Sequence, residues 1–273
     1  MKRFITMFVA AMAAVVMAKA EVEFAYEAGA DIVSSYIWRG QYNGGLSLQP
    51  EGLVGFDAND GALSFRAGVW ASIGASDWKF QKGLSTYFDS EGNEVNPNTM
   101  FMPEVDFIAS FTAYGASIGF NEYYYCDDWS THTSEIWAGY SFDHAFGVGA
   151  YINWYTIIAG ADIIETTNKQ AFSSYLELGY DYTFEDLGLT LGAQIGLSPW
   201  ESPLYGNEKF ACTNISLKIN KEWEFDVVTL DLYAQGSLNP DGIDKTNVFI
   251  PEAGDDKLYC QKLNGTIGLG IWF

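Results

Sequence analysis

Lys262-Leu263-Asn264-Gly265-Thr266-Ile267-Gly268-Leu269-Gly270-Ile271-Trp272-Phe273 is the stretch whose reading decides the fold. Leu263, Ile267, Leu269, Ile271 and Phe273 share one parity, and Asn264, Thr266, Gly268 and Gly270 share the other. A period of two belongs to a β-strand with one apolar face. The stretch then stops on an aromatic ring. On a soluble domain a frayed end carrying a bare Phe is an aggregation hazard. The weight of this strand therefore depends on whether the rest of the chain alternates in the same way.

It does. Residues 25–39 put Tyr26, Ala28, Ala30, Ile32, Ser34, Tyr36 and Trp38 on one face and Glu27, Asp31 and Arg39 on the other. From Tyr26 to Tyr36 the strand would rise roughly 33 Å at about 3.3 Å per residue, and a tilt near 40° projects this to about 25 Å. That is the height of a barrel's apolar band between two aromatic girdles, so Tyr36 and Trp38 are expected to face lipid. The alternation continues through Val54 and Phe56, Phe65 to Ile73, Val105 to Phe111, Ile136 to Phe142, Ile152 and Trp154, Leu176 to Phe184, Leu189 to Leu197, Ile215 to Ile219, and Val228 to Ala234. It breaks at Tyr123-Tyr124-Tyr125, where no face can be assigned.

This gives about twelve strands, most of about 10 to 15 residues, where a soluble sheet typically uses five or six per strand. Tight turns are expected at Asn59-Asp60-Gly61, Tyr114-Gly115, Asp143-His144-Ala145, Glu185-Asp186 and Asn220-Lys221-Glu222. Long polar loops, about residues 75–99, 166–169, 198–208 and 238–257, fall between them. Short turns after even strands and long loops after odd ones are the pattern of an up-and-down transmembrane barrel. A secreted β-sandwich also alternates, with its apolar face turned inward. Strand length, loop asymmetry, girdle spacing and the terminal Phe favour the all-β membrane barrel.

The chain opens on Met1-Lys2-Arg3, runs apolar over 4–17 and reaches Ala18-Lys19-Ala20, the features of a cleavable secretory signal expected to be cut after Ala20. Residues 21–273 then form one barrel domain. No later run has the roughly 18 apolar residues of a membrane helix, so a membrane location requires a closed barrel. The formal charge of −21 becomes −24 once Lys2, Arg3 and Lys19 are removed, an excess that argues against nucleic acid as a partner. Cys126, Cys212 and Cys260 cannot all pair and lack a zinc spacing; they read as packing residues with room for one disulfide.

Two resemblances add to this reading. The C-terminal stretch resembles the terminal strand signal of bacterial outer-membrane barrels, which implies the barrel-assembly machinery as a partner through Phe273. Ser34-Ser35-Tyr36-Ile37-Trp38-Arg39-Gly40, followed by Gln49-Pro50-Glu51-Gly52, resembles the opening hairpin of the TorF-like porins, whose Ser-x-Tyr-x-aromatic-Arg-Gly segment is matched at Ser34, Tyr36, Trp38, Arg39 and Gly40. Ser35 stands where an Asp is common. The resemblance implies a small outer-membrane barrel, with outer-membrane lipid and lipopolysaccharide around it, and brings no catalytic residues.

The chemistry expected lies in the lumen. The polar faces carry Glu27, Asp31, Glu51, Glu104, Asp106, Glu135, Glu177, Asp181 and Asp231 against Arg39, Arg66, Lys218 and Lys262, with Tyr151, Tyr155, Tyr175 and Tyr233 among them. Arg39 is expected at the loop-side rim, where it can fork onto a carboxylate. An acidic wall favours a narrow diffusion channel for small cations or hydroxylated solutes, which phenol faces can stack against. A plugged interior of paired charges serving as a scaffold for displayed loops is the alternative. A barrel hydrolase stands last, because His132 and His144 fall at opposite ends and no nucleophile motif accompanies either. No cofactor, metal site or catalytic residue is expected; acidic loop clusters match no calcium-loop spacing. The sequons at Asn214 and Asn264 lie in expected strands and are disregarded.

Overall fold

In the computed structural model the described residues are 22–74, 87–88, 94–95, 104–125, 132–143, 148–164, 167–241 and 263–273. Twelve antiparallel strands close on themselves. They are β1 (Val22–Val33), β2 (Ser47–Ala58), β3 (Leu63–Gly74), β4 (Glu104–Ala113), β5 (Ala116–Tyr125), β6 (His132–Ser141), β7 (Ala150–Gly160), β8 (Ser174–Phe184), β9 (Leu189–Ser198), β10 (Ala211–Phe225), β11 (Val228–Leu238) and β12 (Leu263–Trp272). Each pairs with its neighbours in sequence, and β12 returns to β1.

Burial is inverted relative to a soluble protein. Phe24, Leu217 and Ile267 are 74%, 67% and 62% exposed, whereas Glu135 and Asn214 are 0% and 1% exposed. Apolar side chains face out and polar ones face in, as a wall surrounded by hydrocarbon requires. The sandwich alternative would have the opposite burial.

The turns follow local chemistry. Asn59, Asp60 and Gly61 all adopt positive φ, which Asn, Asp and Gly tolerate best. Tyr114 and Gly115 join Ala113 to Ala116 in a two-residue turn, both with positive φ. Glu185–Leu187 forms a single 3-10 turn closed by Gly188. These connections and both ends of the barrel lie at one rim, the turn end. The opposite rim is the loop end.

Three expectations change. Residues 25–39 are not one strand: β1 ends at Val33, and Tyr36–Trp38 pairs with Gln41–Gly44 as a separate hairpin. β1 pairs with β12 from Gly29↔Trp272 to Val33↔Gly268. Beyond this the Ser34 hydroxyl accepts from the Ile267 amide (2.8 Å) and the Thr266 hydroxyl accepts from the Ser35 amide (3.2 Å). After one last backbone bond, from Ser34 N to Ile267 O at 2.9 Å, side-chain oxygens thus take the place of the strand ladder, and the chain bends out of the wall. The turn expected at Asn220-Lys221-Glu222 lies farther on, at Asp226-Val227, because Trp223 and Phe225 continue the outward apolar parity of β10. The strand expected after the Asp143-His144-Ala145 turn begins only at Ala150. Asp143 is described, but the rest of that turn, with His144, lies outside the described residues, as do Cys126, Cys260, Lys262 and the 1–20 signal. Cys212 is free.

Candidate functional site: the lumen and its inward hairpin

The bend at Ser34-Ser35 directs the Tyr36–Gly44 hairpin into the barrel, and Arg39 at its tip (φ 50) carries the only guanidinium described at this level of the lumen. Its Nη1 and Nη2 donate to the two oxygens of Glu135 on β6 at 2.7 and 2.9 Å. This is the forked geometry that a planar guanidinium makes with a carboxylate. Nη1 also donates to the Tyr205 hydroxyl at 2.6 Å. The guanidinium lies 4.0 Å from the Tyr155 ring centroid, 4.5 Å from that of Trp38 and 5.0 Å from that of Tyr175. Cation–π contacts of this kind reach about 2 kcal/mol when desolvated. Burial works against the Arg39 charge, but Glu135 more than offsets it and the pKa lies well above its usual value. Burial also pushes the Tyr205 phenol up, with the guanidinium pulling it partly back.

Glu135 is held from behind. Tyr123 Oη donates to it at 2.8 Å and Asn121 Nδ2 at 3.1 Å, both from β5. Across the barrel, Asn264 Nδ2 on β12 donates to the Gly40 carbonyl at 2.9 Å. Gly40 sits against the Thr213 carbonyl and Asn214 with φ +83, so any side chain there would meet both crowding and strain. Loop 199–210 closes the third side: Tyr205 stacks on Trp38 at 5.8 Å, and Gln41 Nε2 donates to the Leu204 carbonyl. Tyr175, Tyr205 and Glu135 are 0%, 1% and 0% exposed, so this level is filled.

The other expected residues spread along the lumen. Glu104 and Asp106 are buried just beneath the hairpin, where Tyr36 hydrogen-bonds Glu104. Glu177 accepts from Asn153 Nδ2 at 3.3 Å. Toward the turn end the wall is wetter. Arg66 donates to Glu27 at 2.8 Å and forks onto Asp57 at 2.9 Å for both bonds. Lys218 lies 4.3 Å from the Tyr233 centroid and faces Asp31 and Asp181. Asp31 and Asp231 meet across Gly270, their common partner on β12. Glu51 sits beside Gly29 on β1.

Several inward rings lie flat against a neighbouring strand. Tyr151 covers Gly179, Tyr175 covers Gly196, Tyr233 covers Gly268 and Trp272 covers Gly29, where a Cβ would collide with the ring.

Tyr36 and Trp38 do not face lipid. They pack inside, against Trp70 and against Tyr123 and Tyr205 respectively, so the upper girdle inferred from Tyr36 is not there. Sequence reasoning also omitted Tyr205, Tyr123, Asn121, Asn214 and Asn264. Extending the parity of Ile118 and Phe120 would have placed Asn121 and Tyr123 inward. Asn214 and Asn264 stand on the polar parity of their strands, and Tyr205 has no periodic signal at all. His132 starts β6, and its Nδ1 meets Glu122 on the outward parity.

No family model matches the chain, and no curated protein matches it. Among solved structures the chain is similar to Salmonella typhi OmpF in complex with daunomycin, at 11% identity and a TM-score of 0.36, over 93% of this chain and 97% of that one. It is also similar to Pseudomonas aeruginosa OccK9 (OpdG), at 8% identity and a TM-score of 0.25, over 94% and 98%. Likenesses this distant carry no argument about function. The functional reading rests on this chain's own geometry.

Proposed function

We propose that the protein is an outer-membrane diffusion channel for small cations, held shut at its loop end by the inward hairpin. The observation that carries the reading is the seating of Tyr36–Gly44 across the lumen on the Arg39–Glu135 pair. Around that closure the wall is apolar outside and polar inside, and its inward carboxylates outnumber Arg39, Arg66 and Lys218. Charge of one sign behind a low-dielectric wall concentrates counter-ions. The resemblance of residues 34–40 to the TorF-like porins agrees with an outer-membrane pore.

A closed scaffold is the second reading, favoured by the complete burial of Glu135, Tyr175 and Tyr205. Single-channel recording in planar bilayers separates the two. The gated channel requires rare, small openings in the wild type and frequent, larger ones in Arg39→Ala. Silence from both proteins would establish the scaffold.

A further inference from the structure

Arg39 occupies a pocket whose walls belong to other segments. Glu135, Tyr123 and Asn121 come from β5 and β6, Tyr155 and Tyr175 from β7 and β8, and Tyr205 from loop 199–210. Of the groups touching the guanidinium, only Trp38 travels with the hairpin. Glu135 is fully buried, and two wall donors fix its plane toward the lumen. Such a carboxylate framed by ring faces suits a flat cation with paired N–H donors better than a compact ammonium.

A second observation also points to a cation. Asp106, 6% exposed and just below, has one carboxylate oxygen buried with no donor among the described residues. Glu104 lies beside it, also buried. Among the described residues, no three His, Cys, Asp or Glu side chains are placed to hold a metal ion. N–H donors of an organic cation are the chemistry this set can satisfy.

The hairpin also has somewhere to go. Residues 263–267 of β12 pair with β11, but among the described residues no strand lies beyond Gly268 on their other side. Ser34 N already donates to Ile267 O at 2.9 Å. Continuing that register would set Tyr36 opposite Gly265 and Trp38 opposite Leu263, returning both rings to the outward parity. Beside this seam the outer wall carries a groove of about 550 Å³ that runs over β10–β12 along Leu217, Ile219, Ala234, Gly265 and Ile267 and reaches Ser34.

We propose that the Glu135 pocket is a binding site for small guanidinium-bearing cations, with Arg39 as a tethered occupant that the free cation displaces. The proposal builds on the gated-channel reading, because displacement requires a hairpin that can leave. A free cation with the same fork competes for Glu135; the released hairpin then straightens onto the seam.

The test uses full-length barrel in detergent, with Cys126, Cys212 and Cys260 replaced by Ala and Gln41→Cys as a reporter of hairpin position. Ethylguanidinium at millimolar concentration is expected to accelerate maleimide labelling several-fold, and ethylammonium to leave it nearly unchanged. Glu135→Gln added to the reporter should label fast without either cation and respond to neither. Separately, ethylguanidinium should raise the unfolding temperature of Arg39→Ala more than ethylammonium does, and Arg39→Ala/Glu135→Gln should show no difference. Equal responses to the two cations, or a guanidinium effect that survives Glu135→Gln, would overturn the site. Should Arg39→Ala fail to assemble, the labelling result alone decides. Neither readout needs conduction. Specific binding by a barrel that never conducts would retain the site and remove the channel, whereas a conducting barrel indifferent to guanidinium would do the reverse.

Discussion

Glu135 and Asn264 stand on opposite walls, six strands apart around the ring, and consecutive hairpin residues reach both: Arg39 forks onto Glu135, and the Gly40 carbonyl accepts from Asn264. One short hairpin thus ties β6 to β12 through the middle of the barrel. The tie sets position more than it adds stability, because two desolvated charges recover little beyond the cost of their burial.

Truncating one partner should therefore be costly. With the hairpin seated, Arg39→Ala or Glu135→Gln alone leaves a buried charged group without its counter-ion, at a cost of about 3–5 kcal/mol; release of the hairpin relieves part of this, so that figure is the upper bound of the expected loss. Replacing both, as Arg39→Met/Glu135→Leu, should cost less than either single change. Urea unfolding followed by tryptophan fluorescence reads this double-mutant cycle; additive losses would mean that the two side chains do not act as a pair.

Arg39→Lys should be intermediate for gating. An ammonium keeps the charge but cannot present two parallel donors to one carboxylate. Open probability in bilayers is expected to rise from wild type through Lys to Ala. A Lys variant as quiet as the wild type would show that charge alone holds the hairpin.

Selectivity follows the wetter part of the lumen. With the hairpin released by Arg39→Ala, cations should pass more readily than anions. The preference should fade with salt as the Debye length drops from about 10 Å at 0.1 M to about 3 Å at 1 M. Adding Asp31→Asn, Asp181→Asn and Asp231→Asn should shrink the bias further, as measured by reversal potential across a salt gradient. Unchanged selectivity would place the conducting path elsewhere.

Phe273 should matter for delivery more than for the finished wall. Its ring is 60% exposed, and its amide donates to the Ala28 carbonyl at 2.9 Å. Burying one ring in lipid is worth only about 1.5–3 kcal/mol, whereas an assembly signal, the role that the resemblance of this strand implies, would act before the barrel closes. Deleting Phe273 is expected to cut the outer-membrane level sharply while leaving the unfolding midpoint of whatever assembles nearly unchanged. Equal membrane levels would refute the role.

The strands were legible because a wall with lipid on one side and polar groups on the other imposes a period of two that single residues display. Arg39 was legible as an inward, fork-capable base, but not its partner: Glu135 lies 96 residues away, a distance that periodicity does not bridge. Tyr36 and Trp38 were misplaced for a related reason. Alternation reports an extended backbone, which a strand in the wall and a hairpin folded inside it share. The bend between them depends on Ser34 and Ser35 joining Thr266 and Ile267. Tyr205 was invisible because a loop residue gains its role only from where its ends are anchored.

The rings laid across glycines have a consequence for calibre. A tyrosine lying flat thickens the wall by roughly the 3.5 Å depth of one atomic layer, so Tyr151 and Tyr233 take little of the bore despite their size. That economy depends on a missing methyl group next door, at Gly179 and Gly268. An alanine at either position would tip a phenol toward the axis, so the free width of the lumen at these levels is governed by the smallest residues of the wall.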